Sequence, residues 1–250
     1  MESSRKKRIV VVGATSVIAQ HCAREWAREP VDLVLVGRDA ARTEAVAADL
    51  RVRSPKSSVS VLHADFQEPG GIERAVREAT ASPVDIALIA HGTLPEQAAC
   101  QGDLHAAREA MEINGISPVL FAEAFATAMQ AAGSGSIVLV GSVAGDRGRK
   151  SNYVYGAAKG LVTRYAQGLQ HRFANSGLHV MLVKPGPTDT PMTAHLRAKG
   201  ARLAPPEEVA RLVVRGVARG ARVVYAPAKW WLIMMVIRHL PFFLFKRMDI

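Results

Sequence analysis

The chain has 250 residues, of which 49% are hydrophobic, and this is enough to bury the core of one large α/β domain. Its two cysteines, Cys22 and Cys100, are too few for a disulfide framework and lack metal-ligand spacing, so we predict reduced thiols, no metal site and a cytoplasmic location. The net charge of +10 suits nucleic acid, a membrane surface or an anionic ligand. No nucleic-acid-binding motif accompanies the scattered basic residues, so we predict no nucleic-acid partner.

Apolar runs bounded by turn residues predict seven strands. The first run follows the basic residues Arg5–Arg8, as in a signal peptide, but it is short and leads through a glycine turn into a polar helix, so a buried strand explains it better. The predicted strands are Arg8–Val12, Val31–Val36, Ser58–Leu62, Val84–Ala90, Ile137–Val140, Leu178–Val183 and Arg222–Ala226.

Helical patterns lie between these strands. They cover Val17–Arg28, Asp39–Arg51, Ile72–Ala79, Leu104–Ala132, a helix from about Tyr155 to Asn175, and Pro206–Gly220. Because strands and helices alternate along nearly the whole chain, we predict a single Rossmann-type α/β fold: a doubly wound parallel sheet of about seven strands with helices on both faces.

The turn after the first strand is where such a sheet binds a dinucleotide. Glycine lets the backbone approach the pyrophosphate, and the following helix offers amide donors at its N-terminus. Val17 narrows the approach of the backbone to the pyrophosphate, and the hydroxyl groups of Thr15 and Ser16 can compensate with hydrogen bonds. A turn with a purely structural role is the alternative to dinucleotide binding. The candidate cofactor residues of the turn are Gly13, Thr15, Ser16, Val17 and Ile18.

The end of the second strand indicates which dinucleotide is preferred. A carboxylate directly after that strand would accept hydrogen bonds from the adenosine ribose, but Gly37 stands there and Arg38 follows. A guanidinium suits a 2′-phosphate, so we predict NADP(H) over NAD(H), with NAD(H) still able to bind. Arg38 as a solvated loop residue, or Asp39 turned inward, remains the alternative.

A tyrosine and a lysine, Tyr155 and Lys159, are spaced to share one face of a helix. A cation beside a phenol lowers its pKa and makes it a usable proton donor or acceptor. Ser142 precedes the tyrosine by 13 positions. This spacing alone also fits a surface lysine beside a buried tyrosine.

Together with these residues, the chain resembles the short-chain dehydrogenase/reductase family. The turn departs from the family's glycine pattern at Val17 and Ala19, and His91 is a departure where members usually read Asn-Ala-Gly. Asp65 in HADF matches the family's aspartate that contacts the adenine of the cofactor. The other matching positions are the cofactor residues Phe66, Ala90, His91 and Gly92, the active-site residues Asn114, Ser142, Tyr155 and Lys159, and Pro185, Gly186, Thr188 and Thr190 near the nicotinamide.

The resemblance implies a reductase in which hydride passes from the nicotinamide to a carbonyl carbon. Tyr155 would supply the proton, Lys159 would lower the phenol pKa and bind the nicotinamide ribose, and Ser142 would hold the carbonyl. Asn114 would hold a water that links Lys159 to solvent. Tyr153, turned about 200° away on the same helix, is expected to be a packing or substrate-wall residue. The family also implies a homodimer or homotetramer that pairs the helices at 104–132 and 155–175.

Two basic clusters suggest the charge of the substrate. Arg147, Arg149 and Lys150 lie between the serine and the tyrosine, and a second cluster follows Thr190. Facing one cleft, they would suit an anionic substrate such as a phosphodiester, with solvated surface charge as the alternative. The second cluster consists of Arg197, Lys199 and Arg202.

The C-terminal tail, residues 228–250, is apolar and basic, and it follows a dinucleotide-binding and catalytic domain at residues 1–227. Its uninterrupted apolar run, Trp230–Ile237, is too short to span a membrane, which needs about 20 residues. The segment from Trp230 to Phe245 could instead lie in a membrane interface, which would place the protein peripherally on the inner face of the membrane. Packing on the core or on a second subunit is the alternative.

One branch of the family is most similar, the decaprenylphosphoryl-2-keto-ribose reductases. The shared features are GATSxIA at the first turn, AHGTLP after the fourth strand and the aromatic, basic tail after YAP. This similarity implies reduction of a 2-keto sugar carried on a polyprenyl phosphate. A reductase of another lipid, steroid or free-sugar ketone, or a non-catalytic dinucleotide-binding partner of a membrane enzyme, remains open.

Overall fold

The computed structural model describes residues 5–198 and 200–248 and contains one parallel sheet of seven strands, as predicted. The strand order across the sheet is β3-β2-β1-β4-β5-β6-β7. The strands are β1 (Lys7–Val12), β2 (Val31–Gly37), β3 (Ser58–His63), β4 (Ile86–Ile89), β5 (Ser134–Val140), β6 (Gly177–Pro185) and β7 (Val223–Ala226).

Helices connect the strands and cover both faces of the sheet. They are α1 (Val17–Trp26), α2 (Ala40–Arg53), α3 (Pro69–Ala79), α4 (Gln97–Gly102), α5 (Leu104–Met111), α6 (Ser117–Gln130), α7 (Tyr153–Arg172), α8 (Ala194–Ala198), α9 (Pro206–Ala218), α10 (Lys229–His239) and α11 (Phe242–Phe245). Short 3₁₀ turns at Val143–Asp146 and Pro191–Thr193 complete the set.

The centre of the sheet is apolar because both of its faces are buried, and all four residues of β4 are buried. The edge strand β3 instead begins with alternating polar and apolar residues. In β1, Val10 and Val12 face the layer that contains Phe121 and Phe125 of α6. Ile9 and Val11 point to the opposite layer, with α1, α2 and α9. This alternation follows from the two-residue repeat of a strand.

The long predicted helix at 104–132 is in fact two helices joined by a π-helical turn. The turn covers Glu112–Ile116 and lies between α5 and α6. A π-turn inserts an extra residue into the hydrogen-bond ladder, which hydrophobic periodicity does not reveal. It carries Asn114, which is fully buried, toward the centre of the molecule. Helix α6 ends at Gln130, and Gly133 follows with φ of +65°.

The C-terminal tail folds as α10 and α11 and packs on the domain. Met234 is buried, and the guanidinium of Arg147 donates to the carbonyl oxygens of Ile237 and Leu240 and stacks over the ring of Phe245, 3.8 Å from its centroid. Among residues 5–198 and 200–248, no helix is long and apolar enough to cross a membrane.

His91, directly beyond β4, is packed among aromatic rings. Its ring lies edge-on to Phe66 and Phe121, with centroid distances of 4.7 and 5.5 Å. Its Nε2 shares a hydrogen bond of 2.8 Å with the Ser117 hydroxyl, while Nδ1 has no partner among the described residues. Burial, with smaller contributions from the charges of Lys159 and Arg38, lowers the pKa of His91 to about 3.

The neutral imidazole makes folding pH-dependent. Because the folded pKa of about 3 lies below the unfolded value of 6.5, the unfolded chain binds the proton more readily between these two values. The stability that the neutral ring contributes is therefore complete above pH 6.5 and declines as the pH falls toward 3. Urea unfolding at pH 7 and pH 5 should show that wild type loses ~2 kcal/mol more than His91→Phe. Equal losses in the two proteins would contradict a neutral, buried His91.

Candidate active site

A cleft of about 710 Å³ opens at the carboxyl ends of β1 and β4. The strand order reverses between these two neighbours, and ligands of doubly wound sheets bind at such a point. The predicted residues that line the cleft are Gly13, Thr15, Ser16, Val17, Ile18, Arg38, Phe66, Ala90, His91, Gly92, Asn114, Ser142, Tyr155, Lys159, Pro185, Gly186, Thr188 and Thr190.

Asp65 is the predicted cofactor residue that is not among those lining the cleft. Its carboxylate accepts a hydrogen bond of 2.9 Å from the backbone N–H of Gln67, and so it holds the loop after β3. The neighbouring Phe66 is buried and does reach the cleft. A contact between Asp65 and adenine stays a prediction.

The turn after β1 has the shape that a dinucleotide phosphate needs. Gly13 adopts φ of +78°, and a Cβ there would lie 2.6 Å from the backbone nitrogen of His91, so only glycine fits. Ser16 is the N-cap of α1 but makes no side-chain cap hydrogen bond, which leaves its hydroxyl available to a ligand. Ala19 is fully buried in the core, so its methyl fits where the family has glycine.

The end of β2 has no room for a carboxylate at position 37. A Cβ at Gly37 would lie 2.0 Å from the hydroxyl of the buried Thr43. The Asp39 carboxylate caps α2 by accepting a 2.9 Å hydrogen bond from the N–H of Arg42. Asp39 lines this end of the cleft together with Arg38 and Arg42, so a contact between Asp39 and the ribose stays the alternative. Arg42 was not predicted from the sequence as a cofactor residue. Its position in the first turn of α2, shortly after Arg38, is the feature that could have indicated it.

Tyr155 lies between a hydroxyl and a guanidinium at the other end of the cleft. Burial raises the pKa of its phenol, while a hydrogen bond with Ser142 and the charge of Arg149 act in the opposite direction. Ser142 also accepts a 3.1 Å hydrogen bond from the N–H of Ala144, which fixes its rotamer. The phenol is therefore protonated at neutral pH and can act as a proton donor.

Lys159 is buried beneath the tyrosine, on the next turn of α7. Its Nζ donates to the carbonyl oxygen of Val140 at 3.1 Å and lies 5.9 Å from the centroid of the Tyr155 ring. Burial lowers the pKa of Lys159 to about 8. The prediction that Lys159 lowers the tyrosine pKa stays a prediction: its Nζ is directed at a carbonyl, and the groups that lower the phenol pKa in this structure are Ser142 and Arg149.

Asn114 supports the same region from the π-helical turn. Its Oδ1 accepts from the N–H of Thr93 at 2.9 Å, and its Nδ2 donates to the carbonyl oxygen of Ala110 at 2.9 Å. A Cβ at Gly92 would lie 2.8 Å from that Oδ1 and 3.5 Å from the Nζ of Lys159. A side chain at position 92 would therefore crowd both Asn114 and Lys159, and glycine avoids this. The water predicted to link Lys159 to solvent through Asn114 stays a prediction.

The two predicted basic clusters do not face the cleft as sets. Arg147 holds the C-terminal tail, and Arg197 forms an ion pair with Asp189. Arg202 is exposed, and Lys199 lies outside the described residues. Arg149 is the cation of these clusters that the described part of the chain brings into the cleft wall, since the loop 147–150 directs successive side chains to different neighbours.

The sequence predicted the orientation of one aromatic residue, Tyr153, but not the position of another, Trp230. Tyr153 is 45% exposed and is not among the cleft residues, in agreement with its predicted orientation away from Tyr155. Trp230, in contrast, joins the cleft wall from α10. A Cβ at Gly186 would lie 1.9 Å from its indole Nε1, so that glycine is required for the tryptophan to approach. No sequence pattern placed the tail against the cleft.

Comparisons with known proteins agree with this geometry. An uncharacterized oxidoreductase of Mycobacterium tuberculosis is 31% identical over 249 residues and covers 99% of both chains. One from Streptomyces coelicolor is 28% identical over 248 residues, covering 98% of this chain and 97% of its own.

Solved structures share the fold over nearly the whole chain. A short-chain dehydrogenase from Sphingobium yanoikuyae is 27% identical with a TM-score of 0.80, covering 93% of this chain and 96% of that one. A ketone-specific alcohol dehydrogenase from Comamonas testosteroni is 26% identical with a TM-score of 0.78, covering 97% and 95%. The family model for short chain dehydrogenases matches residues 7–201. The chain therefore belongs to the short chain dehydrogenase family and is an NAD(P)-dependent oxidoreductase.

Proposed function

We propose that this protein is an NADPH-dependent carbonyl reductase in which Tyr155 donates the proton. The observation that carries the proposal is that Tyr155, Ser142 and Lys159 line the same cleft as Arg38 and Arg42. A ketone held by the two hydroxyls would lie between the proton donor and the dinucleotide.

The side chains divide the work of reduction. Bound NADPH would supply the hydride to the carbonyl carbon. Ser142 orients the carbonyl oxygen by donating a hydrogen bond, and Tyr155 transfers its proton to that oxygen as negative charge develops there. Burial raises the pKa of the phenol, so at neutral pH it carries the proton that reduction of the carbonyl requires. Lys159, with its pKa lowered to about 8, holds the wall beneath the tyrosine and offers its remaining protons to a ribose hydroxyl.

The phosphorylated dinucleotide is favoured by two features of the β2 end. Gly37 leaves no room for a ribose-binding carboxylate, and Arg38 and Arg42 offer two cations to a 2′-phosphate. The related dehydrogenase from Sphingobium yanoikuyae was solved in complex with NADPH, which supports the same choice here.

A narrower form of the proposal concerns the substrate: a 2-keto sugar carried on a polyprenyl phosphate. The apolar tail borders the cleft through Trp230, so a lipid chain leaving the cleft would meet it.

We also propose a homodimer or homotetramer that pairs α7 and the helical stretch from α5 to α6. Ile116 in the π-helical turn and Leu161 in α7 are 44% and 42% exposed there. Equilibrium sedimentation measures that assembly directly.

The tail also supports a peripheral contact with an anionic membrane. Trp231, Phe242 and Phe243 are 55%, 73% and 59% exposed and lie on α10 and α11. Lys229 and Arg238 lie on α10, and Lys246 and Arg247 directly follow α11. Exposed aromatic residues flanked by cations are the chemistry that binds the headgroup region of an anionic bilayer.

The catalytic assignment is tested by Tyr155→Phe. Removing the hydroxyl removes the proton donor, and turnover of a ketone panel should fall at least ~10²-fold while the Kd for NADPH is unchanged. NADPH oxidation and NADPH fluorescence measure the two quantities. Tyr153→Phe, which deletes a hydroxyl from an exposed residue on the same helix, is the matched control and should retain turnover. Retained turnover in Tyr155→Phe would contradict the assignment.

Cofactor preference is tested by Arg38→Gln. Loss of one charged hydrogen bond to a 2′-phosphate should raise the Kd for NADPH ~10-fold or more and leave the Kd for NADH unchanged. Arg28→Gln removes an exposed arginine from the turn after α1 and serves as the control. An equal loss for both dinucleotides would show that Arg38 does not read the 2′-phosphate.

Membrane contact is tested by flotation of the full chain with liposomes. Wild type should float with phosphatidylglycerol vesicles, float less at high salt, and not float with phosphatidylcholine alone. The triple variant Trp231→Ser, Phe242→Ser, Phe243→Ser should stay at the bottom. The control variant Val52→Ser, Leu104→Ser changes residues that are 81% and 84% exposed elsewhere and should float. Absence of flotation in wild type would end the membrane proposal.

A further inference from the structure

Arg149 is a cation that lines the cleft, and no carboxylate among residues 5–198 and 200–248 forms an ion pair with it. Its side chain lines the cleft and is largely buried, and its Nε has no hydrogen-bond partner among the described residues. Its charge lies near the Tyr155 hydroxyl, which Ser142 holds. A buried guanidinium donor without an acceptor is costly, so this arrangement needs a reason.

Asn152 offers a second polar group at the same place. It also lines the cleft, and its Oδ1 is buried with no partner in the described part of the chain. It is the N-cap residue of α7, yet its side chain makes no cap hydrogen bond. The backbone links the two residues, because the N–H of Asn152 donates to the carbonyl oxygen of Arg149 at 3.2 Å.

The backbone also fixes this pair beside the reacting carbonyl. The N–H of Gly156 donates to the carbonyl oxygen of Asn152 at 2.8 Å in the first turn of α7, and Tyr155 precedes that glycine. The pair cannot be part of the site for the adenosine phosphate, because Arg38 and Arg42 line that end of the cleft, after β2.

We propose that Arg149 forms an oxyanion-binding subsite with Asn152 beside it, and that the ketone substrate carries a carboxylate or a phosphate within a few bonds of its carbonyl carbon. The guanidinium fork binds either group through two parallel hydrogen bonds, while the unpartnered Oδ1 of Asn152 is an acceptor that suits a hydroxyl group of the same substrate. Because the anion and the carbonyl are held by one turn of the chain, the subsite selects for their separation as well as for charge. The inference rests on the proposed reductase function and narrows its substrate class.

Binding is measured by calorimetry on the NADPH-loaded protein with two probes that are not reduced, oxamate for the carboxylate and glycerol 3-phosphate for the phosphate. At least one probe should bind wild type, and Arg149→Gln should raise its Kd ~10- to 100-fold, as expected for the loss of charged hydrogen bonds. Arg149→Lys, which keeps the charge but not the fork, should recover part of the affinity. Lys150→Gln removes the same charge from an exposed neighbour outside the described cleft lining and should bind like wild type.

Turnover gives an independent measurement with matched pairs of ketones: 2-ketobutyrate and its methyl ester, and dihydroxyacetone phosphate and dihydroxyacetone. Arg149→Gln should lower kcat/KM for the anionic member ~10- to 100-fold more than for the neutral member, because any effect on the Tyr155 proton donor is common to both. Equal losses for both members would make Arg149 a structural residue and overturn the subsite. Failure of both binding probes with wild type would overturn it as well. Binding that depends on Arg149 without reduction of any ketone would instead remove the proposed reductase function and keep the subsite.

Discussion

The pairing of β1 with both β2 and β4 is the constraint on which the site depends. All strands are parallel, so their carboxyl ends lie on one edge, and the reversal of strand order at β1 opens that edge. The turn after β1 and the loop after β4 then touch, with no room for a Cβ between Gly13 and His91. Gly13, Arg38 and His91 reach the cleft from the loops at this edge, and Tyr155 and Lys159 reach it from the first two turns of α7.

Desolvation in this cleft favours the neutral form of several titratable groups. It raises the pKa of Tyr155 and lowers the pKa values of Lys159 and His91 to about 8 and about 3. In each case burial favours the neutral form. A neutral phenol is the form that can give up a proton, and a neutral imidazole avoids adding charge beneath the cofactor site. The cleft therefore suits proton donation to a carbonyl oxygen, with Arg149 as the neighbouring charge that partly counteracts burial at the tyrosine.

Much of this could be read from the sequence, for identifiable reasons. Parallel strands buried on both faces leave continuous apolar runs, so all seven strands were predicted, and the family spacing located Ser142, Tyr155 and Lys159. The π-helical turn at Asn114 was missed because one extra residue hardly alters the apolar pattern. The partners of Arg147 and Arg197 were also missed, since charge patterns do not show where a long side chain points. That Gly37 makes room for Thr43 is a three-dimensional fact with no local sequence signal.

The loop that leads into α7 shows how neighbouring cations acquire different roles. Arg147 reaches out to the carbonyl oxygens of Ile237 and Leu240, where helix α10 ends and carbonyl groups lack partners. Arg149, two residues on, turns into the cleft instead, where no carbonyl of the tail meets its Nε among the described residues. The tail thus takes up one arginine as a structural contact and, through Trp230, covers the cleft in which the other is left for a ligand. Of the cations in this loop, Arg149 is the one that lines the cleft in the described part of the chain. A cation placed inside a cleft selects an anionic substrate far better than a solvated cluster of cations would.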